Sequence, residues 1–365
     1  MRSFGVEEEM LLVDPGSGAA VALADAVTGG AEDAPEAELQ RQQVETDTAP
    51  CETLEALAGQ LRARRRAAAD AAERENCQVV ALATSPLPVS PSTMPKERYL
   101  RMAEEYALTA QEQLTCGCHV HVRVESEDEG VGVLDRIRPW LPVLLAMTAN
   151  SPFWQGRDSG YASYRHQVWG RWPSAGPAEP FGTPKVYHET VQAMIDSGVL
   201  LDEGMVYFDA RLSRHYPTVE IRIADVCTAA DDAVLLAALV RALVETAARE
   251  WRAGDPPRPV RTELLHMASW RASRSGLEGH LVHPVSLRPV PAEEAVRALL
   301  DHVTPALTDL GDHRAVLDLT GRLLERGNGA TRQRRTYEST GDLTAVVRAA
   351  VEQTLGDRPA GRRRV

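Results

Sequence analysis

Apolar and polar residues alternate with a period of two over several short stretches of the chain, and with a helical period over several longer ones. Residues 3–13 predict a first strand, closed by the turn signal Asp14-Pro15-Gly16. A second strand is predicted over 41–48. Residues 52–76 predict a long helix, with Leu54, Leu57 and Leu61 on one face among alanines and arginines. A short buried strand over 78–83, a proline-rich loop over 85–95 and a helix over 96–114 follow. Residues 116–124 alternate cleanly and predict another strand. Residues 132–148 are apolar and partly helical, and Pro139 and Pro142 must bend or interrupt them.

Residues 150–184 break the pattern. They are rich in Gly, Pro and aromatics (Phe153, Trp154, Tyr161, Tyr164, Trp169 and Trp172) and cannot form one regular element. Loops of this length inside a domain are usually binding loops or lids. A helix over 185–197, strands over 205–213 and 218–225, and a long helix over 231–252 come next. Beyond Pro291, helices are predicted over 293–302, 312–326 and 343–355. Strands joined as hairpins among covering helices imply an α+β fold, with an antiparallel or mixed sheet covered on one face.

Strand residues two apart share a face. Gly5, Glu7 and Glu9 therefore face one way, and Val6, Glu8 and Met10 the other. Glu7 and Glu9 stand roughly 7 Å apart, so their charges repel unless a cation or solvent intervenes. The other strands repeat the theme. Gln43, Glu45 and Asp47 share a face, as do Gly117, His119, His121 and Arg123. So do Tyr207, Asp209 and Arg211, and likewise Glu220 and Arg222. These five strands contain no lysine. Carboxylates with an imidazole suit hard divalent cations, and arginine forks suit phosphate oxygens. Together they read as a metal–nucleotide floor. A zinc reading of Cys116, Cys118, His119 and His121 fails, because alternation sends both cysteines away from both histidines.

Charge and cysteine usage narrow the classes. The 365 residues carry a formal net charge of -12, which argues against a nucleic-acid partner. Five scattered cysteines do not form a disulfide framework. The first residues lack an apolar signal core and no stretch is long enough to span a membrane, so a cytoplasmic protein with no membrane partner is expected. Residues 358–365 read as a basic solvated tail. The sequence leaves oligomeric state open, with a homodimer as a guess. No Gly-rich loop of the dinucleotide or P-loop kind joins a strand to a helix.

Several of these segments resemble the bacterial carboxylate-amine ligase family, also called the type 2 glutamate–cysteine ligase family and related to glutamine synthetase. The resemblance lies in Gly5-Val6-Glu7-Glu8-Glu9, Val44-Glu45-Thr46, Cys116-Gly117-Cys118-His119-Val120-His121-Val122 and the run from Pro217 to Asp225. It continues through Asn150-Ser151-Pro152-Phe153-Trp154, Tyr164-Arg165, the run from Trp172 to Pro177, the run from Trp270 to Gly276, and the run from Asn328 to Arg334. It spans nearly the whole chain in order and implies a single catalytic domain over 1–357. The implied fold is a curved, largely antiparallel sheet with helices on its outer face. The implied reaction activates a carboxylate with ATP as an acyl phosphate, which an amine then attacks. Mg²⁺, with Mn²⁺ as an alternative, is the implied metal.

The resemblance also implies site roles. Glu7, Glu9, Glu45, His119 and Glu220 match metal ligands; His121, Arg222 and Arg332 match positions near the ATP phosphates. Arg165, Arg211 and Arg334 are expected as clamps for substrate carboxylate or transferring phosphoryl group, with Arg211 and Arg222 acting in the reaction itself. Tyr164 and Trp172 belong to the aromatic loop expected to cover the amino-acid pocket. Glu45 or Asp47 is the candidate base for the amine. The expected small-molecule substrates are an amino-acid carboxylate, by resemblance glutamate, and an amine such as cysteine. Two rivals remain. One is a guanidino-kinase-like phosphotransferase on a similar nucleotide floor; the other is a catalytically silent homologue that binds metal or amino acid. A metal hydrolase leaves the arginines unexplained.

Overall fold

The alternation at the N-terminus becomes a ten-residue strand that organises the molecule. The structure, a computed structural model, describes residues 2–29 and 34–356; the basic tail expected at 358–365 lies outside them. The strands are β1 (Phe4–Val13), β2 (Glu36–Ala37), β3 (Gln43–Asp47), β4 (Gln78–Val80), β5 (Cys118–Arg123), β6 (Phe153–Trp154), β7 (Arg157–Asp158), β8 (Ala210–Leu212), β9 (Thr218–Ile221), β10 (His280–Val282) and β11 (Pro289–Pro291). The main sheet has seven strands in the order β2-β3-β1-β5-β9-β8, with β4 also pairing β1, and every pair in it is antiparallel.

The helices are α1 (Ala24–Val27), α2 (Leu54–Arg74), α3 (Glu97–Glu105), α4 (Leu108–Gln111), α5 (Glu127–Ile137), α6 (Leu141–Thr148), α7 (Tyr164–Trp169), α8 (Pro184–Asp196), α9 (Ala230–Ala253), α10 (Thr262–Ser275), α11 (Ala292–Leu310), α12 (His313–Arg326), α13 (Gly329–Thr340) and α14 (Leu343–Leu355). Their starts follow capping chemistry. The side chains of Thr53, Ser126, Ser163, Thr183, Asn328 and Asp342 each accept a first-turn N–H. α9, α11 and α13 end on Gly254, Gly311 and Gly341 in the left-handed conformation.

The apolar sheet face packs on α2 and α9. Leu235, Leu236, Leu239, Leu243 and Val244 of α9 are buried, and its many alanines let neighbouring helices approach. Each such buried Leu or Val contributes about 1.5–3 kcal/mol. Glu8 points into this core, where Arg65 of α2 meets its carboxylate at 2.6 and 2.8 Å. Arg65 also donates to the carbonyls of Thr228 and Cys227, so both charges are satisfied inside. No described helix is long and apolar enough to cross a membrane.

Some expected elements changed. The helix expected over 96–114 is two, because the chain turns at Ala107, whose φ is 47°. The strand expected over 205–213 enters the ladder only at Ala210, because the Asp209 N–H is taken by the Gly176 carbonyl. Pairing of 218–225 with β5 lapses after Ile221, where the Arg222 and Ile223 carbonyls turn to the Arg165 guanidinium, and resumes with Cys118 N–H donating to Ala224, while Arg222 N–H still donates to the Asp209 carbonyl. The helix expected over 293–302 runs on to Leu310 through Pro305. Within 150–184 lie the β6–β7 hairpin and α7. Pro139 is the second residue of a 3-10 turn (Arg138–Trp140) and Pro142 the second of α6, first-turn positions where a missing N–H costs least.

Candidate active site

Antiparallel register turns the separate polar faces into one surface. Glu9 lies opposite Glu45, and Glu7 opposite His119. His121 lies opposite Glu220, which lies opposite Arg211. Directly opposed side chains sit close enough to share a ligand. Three groups have donor atoms within 4.8 Å of one another: Glu7, Glu45 and His119; Glu7, His121 and Glu220; and Glu9, Glu38 and Glu45.

Hydrogen bonds hold these side chains in place. His119 Nδ1 lies 3.3 Å from Glu7, and His121 Nε2 lies 3.0 Å from the other Glu7 oxygen. The Gly117 N–H donates to Glu9 at 2.6 Å. Arg211 Nε donates to Glu220 at 2.7 Å, and Arg222 pairs with the same carboxylate. Arg222 lies over the Trp169 ring, 5.9 Å from its centre.

Two adjoining cavities open on this surface, of 230 and 130 Å³. Glu7, Gly204 and Arg211 line both. The larger holds Glu9, Glu38, Glu45, His119 and Arg222, roofed by Trp169, Trp172 and Tyr207. Those three rings pack on one another at centroid distances of 4.7–6.5 Å. The smaller runs past His121 and Glu220 to Tyr216.

Burial by itself would raise the Glu7 carboxyl, but hydrogen bonds and charge from His119 and His121 hold it below the usual range. Glu220 is likewise held down, because Arg222 and Arg211 outweigh its burial. The other side of the cavity behaves oppositely. Burial and the neighbouring Glu9 charge push Glu38 up to about 7. Burial, Glu38 and Glu7 raise Glu45 well above the usual range. A carboxylate crowd of this kind must bind protons or a cation. His119 is lowered by its burial and by Arg222.

The donors fit a hard divalent ion: carboxylates and imidazoles, with no thiolate. The Nε2 atom of His119 is buried without a hydrogen-bond partner, as a metal-facing nitrogen would be. Cys116 and Cys118 are buried in the core clusters instead.

Glu7, Glu9, Glu45, His119, His121, Arg211, Glu220, Arg222 and Trp172 therefore come together, as the sequence led us to expect. Arg165 sits behind them. It is buried, 3.8 Å from Asp225, with its guanidinium carbon over the Trp169 ring, 5.6 Å from the ring centre. Asp47 is exposed and lines neither cavity. Tyr164 also stands apart, because α7 turns it outward to pack with Trp154 and Tyr161. Arg332 lies in the field of Arg326 and Asp232, and Arg334 pairs with Asp158 at 2.7 Å. Both arginines are on α13, which lines neither cavity.

Other lining residues went unnoticed in the sequence: Glu38, Arg98, Tyr99, Gln113 and Thr115. Gln113 and Thr115 carried a signal, because the period-two series of Gly117, His119 and His121 extends back through them. The Gln113 Oε1 is buried without a partner beside the cavity. Glu38 carried none, since it lies just outside the two-residue β2.

Known proteins resemble this chain in sequence and in fold. Residues 3–349 match the profile of glutamate–cysteine ligase family 2. A Streptomyces avermitilis protein provisionally named glutamate--cysteine ligase 2-1 is 57% identical over 362 residues, covering 98% of this chain and 100% of that protein. The fold resembles a Francisella tularensis glutamate–cysteine ligase in complex with AMP, with a TM-score of 0.70 at 13% identity over 98% of this chain and 90% of that one. It also resembles a Pasteurella multocida bifunctional glutathione synthetase, with a TM-score of 0.72 at 16% identity, covering 97% of this chain and 52% of that one.

Proposed function

The chain belongs to glutamate–cysteine ligase family 2, and from that premise we propose that it is an ATP- and Mg²⁺-dependent carboxylate–amine ligase. The observation that carries the reading is the row of carboxylates and imidazoles bounded by Arg211 and Arg222. A carboxylate is a poor electrophile with a poor leaving group. Transfer of the ATP γ-phosphoryl group to its oxygen releases ADP and gives an acyl phosphate. An amine then attacks the acyl carbon, phosphate leaves, and an amide forms with loss of one proton.

Phosphoryl transfer asks mainly for positioning and charge neutralisation. Glu7, Glu9, Glu38, Glu45, His119, His121 and Glu220 would hold divalent ions, which when bound neutralise phosphate charge and orient the nucleotide. Arg222 and Arg211 present guanidinium groups to the transferring group, and Glu220 keeps both aimed. Trp169, Trp172 and Tyr207 exclude water from the acyl phosphate. Gln113 Oε1 offers an acceptor for a substrate ammonium. The amine's proton would pass to a carboxylate of the cavity that holds no ion.

Glutamate as acid and cysteine as amine are the first pair to test, after the names of the relatives. The assay is ADP release with Mg·ATP and glutamate across a panel of amines, with the product identified by mass. ADP formed in step with a new amide supports the ligase. Phosphate transfer to a guanidine points to the phosphotransferase, and tight ligand binding without ADP points to a silent homologue.

A further inference from the structure

The run from Asn328 to Arg334 resembles a motif of the family, yet its helix lines neither cavity. What α13 does touch is the aromatic loop. Gln333 Nε2 donates to both the carbonyl and the side-chain oxygen of Asn150, at 2.9 and 2.8 Å. Gly329 packs so closely that a Cβ there would meet Asn150 Oδ1 at 2.0 Å. Tyr337 packs edge-on against Phe153, with ring centres 5.3 Å apart. Arg334 grips Asp158 with two bonds, of 2.8 and 2.7 Å, and donates to the Tyr161 carbonyl at 2.9 Å. One helix therefore holds the loop at its start and across its β6–β7 hairpin.

From the other side the same loop is held by Asp225. It accepts from Asn150 N, Ser151 Oγ and Ser163 Oγ at 2.7–2.8 Å. Ser163 caps α7, and α7 carries Arg165 and Trp169. Trp169 roofs the larger cavity and stands within 6 Å of the Arg165 and Arg222 guanidinium carbons. A shift of the loop therefore moves the roof and the ring against which both arginines rest.

We propose that α13 is a clamp on this loop, and that Gln333 and Arg334 are positioning residues that set binding of the acid substrate through Arg165 and Trp169 without touching it. The role in substrate binding rests on the ligase reading; the clamp itself does not. Arg334 and Asp158 are partly solvent-exposed, at 21% and 44% of the side chain, so breaking their pair removes little folding stability.

The test uses the full-length chain with Arg334→Gln, Asp158→Asn and the charge exchange Arg334→Asp with Asp158→Arg. Hydrogen exchange should quicken over residues 150–169 in both single variants, while the sheet amides stay as in wild type. KM for the acid should rise by about tenfold in both, with kcat changed by less than about threefold. The charge exchange should recover most of that loss. A large effect of Arg334→Gln beside a silent Asp158→Asn would make Arg334 a direct substrate ligand and overturn the clamp. Unchanged exchange over 150–169 would also overturn it, and quickened exchange with an unchanged KM would remove its role in binding. Wild-type protein that makes no amide refutes the ligase reading alone, and the exchange result still judges the clamp.

Discussion

A single methyl group at Gly117 should disable the site. Gly117 lies just before β5, between the cavity wall and the buried arginine, and its φ is not positive, so alanine suits its backbone. Space is the obstacle. A Cβ would stand 2.4 Å from Arg165 Nη2 and 2.9 Å from His119 Nε2, where ordinary contact begins at 3.4 Å. The guanidinium must retreat by about 1 Å, and it is hemmed in by Trp169, Asp225 and the carbonyls of residues 222 and 223. Displacement on that scale costs up to about a hundredfold in rate. Overpacking of this kind costs about 1–3 kcal/mol of stability.

Gly117→Ala should therefore remain folded in urea titrations while ADP release falls by one to two orders of magnitude, on the scale of about 1.4 kcal/mol per tenfold. Repeating the substitution in an Arg165→Ala background separates the two neighbours. Whatever loss disappears belongs to Arg165, and whatever persists belongs to His119. Activity within about threefold of wild type, from a stably folded Gly117→Ala protein, would refute the packing argument.

Glu7→Gln, Glu9→Gln and Glu220→Gln should each abolish ADP release and leave the circular dichroism spectrum intact; near-normal turnover in all three would sink the metal floor. Arg65→Ala should lower stability in urea by about 3–5 kcal/mol, since it leaves Glu8 charged and alone in the core; a loss below 1 kcal/mol would show that water reaches Glu8. Asp209 is buried, and that burial lifts it from 3.8 to about 7 against the pull of Arg165. Its folded pKa lies above its unfolded one, so its contribution is fully present below pH 3.8 and lost as pH rises through 7. The amplitude is about 4 kcal/mol. Asp209→Asn should flatten the fall in stability across that window, and an unchanged slope would place the titration elsewhere.

Much of this site was legible because its grammar is local. A strand presents every second side chain to one side, so Glu7 with Glu9, His119 with His121, and Glu220 with Arg222 were paired by spacing alone. The same rule separated Cys116 and Cys118 from the histidines. Extended two and four residues back from Gly117, it would have reached Thr115 and Gln113 as well. Several helices were readable for a similar reason, since apolar periodicity is also a property of neighbours in the chain.

Tertiary structure decided what spacing could not. Register placed Glu7 opposite His119 and Glu220 opposite both His121 and Arg211, and register is set by which strands meet. Alternation put Glu8 on the apolar face with Val6 and Met10, but the partner that lets a charge stay there, Arg65, comes from a helix 57 residues further on. Arg332 and Arg334 lie in a motif-like run, but the direction of α13 takes them to Asp232 and Asp158 rather than to the cavity. Alternation and capping are short-range properties of the backbone, and the chain carries them wherever it goes. The partner across a strand pair or beneath a helix depends on how distant segments bury their apolar faces together, and that is a property of the whole fold.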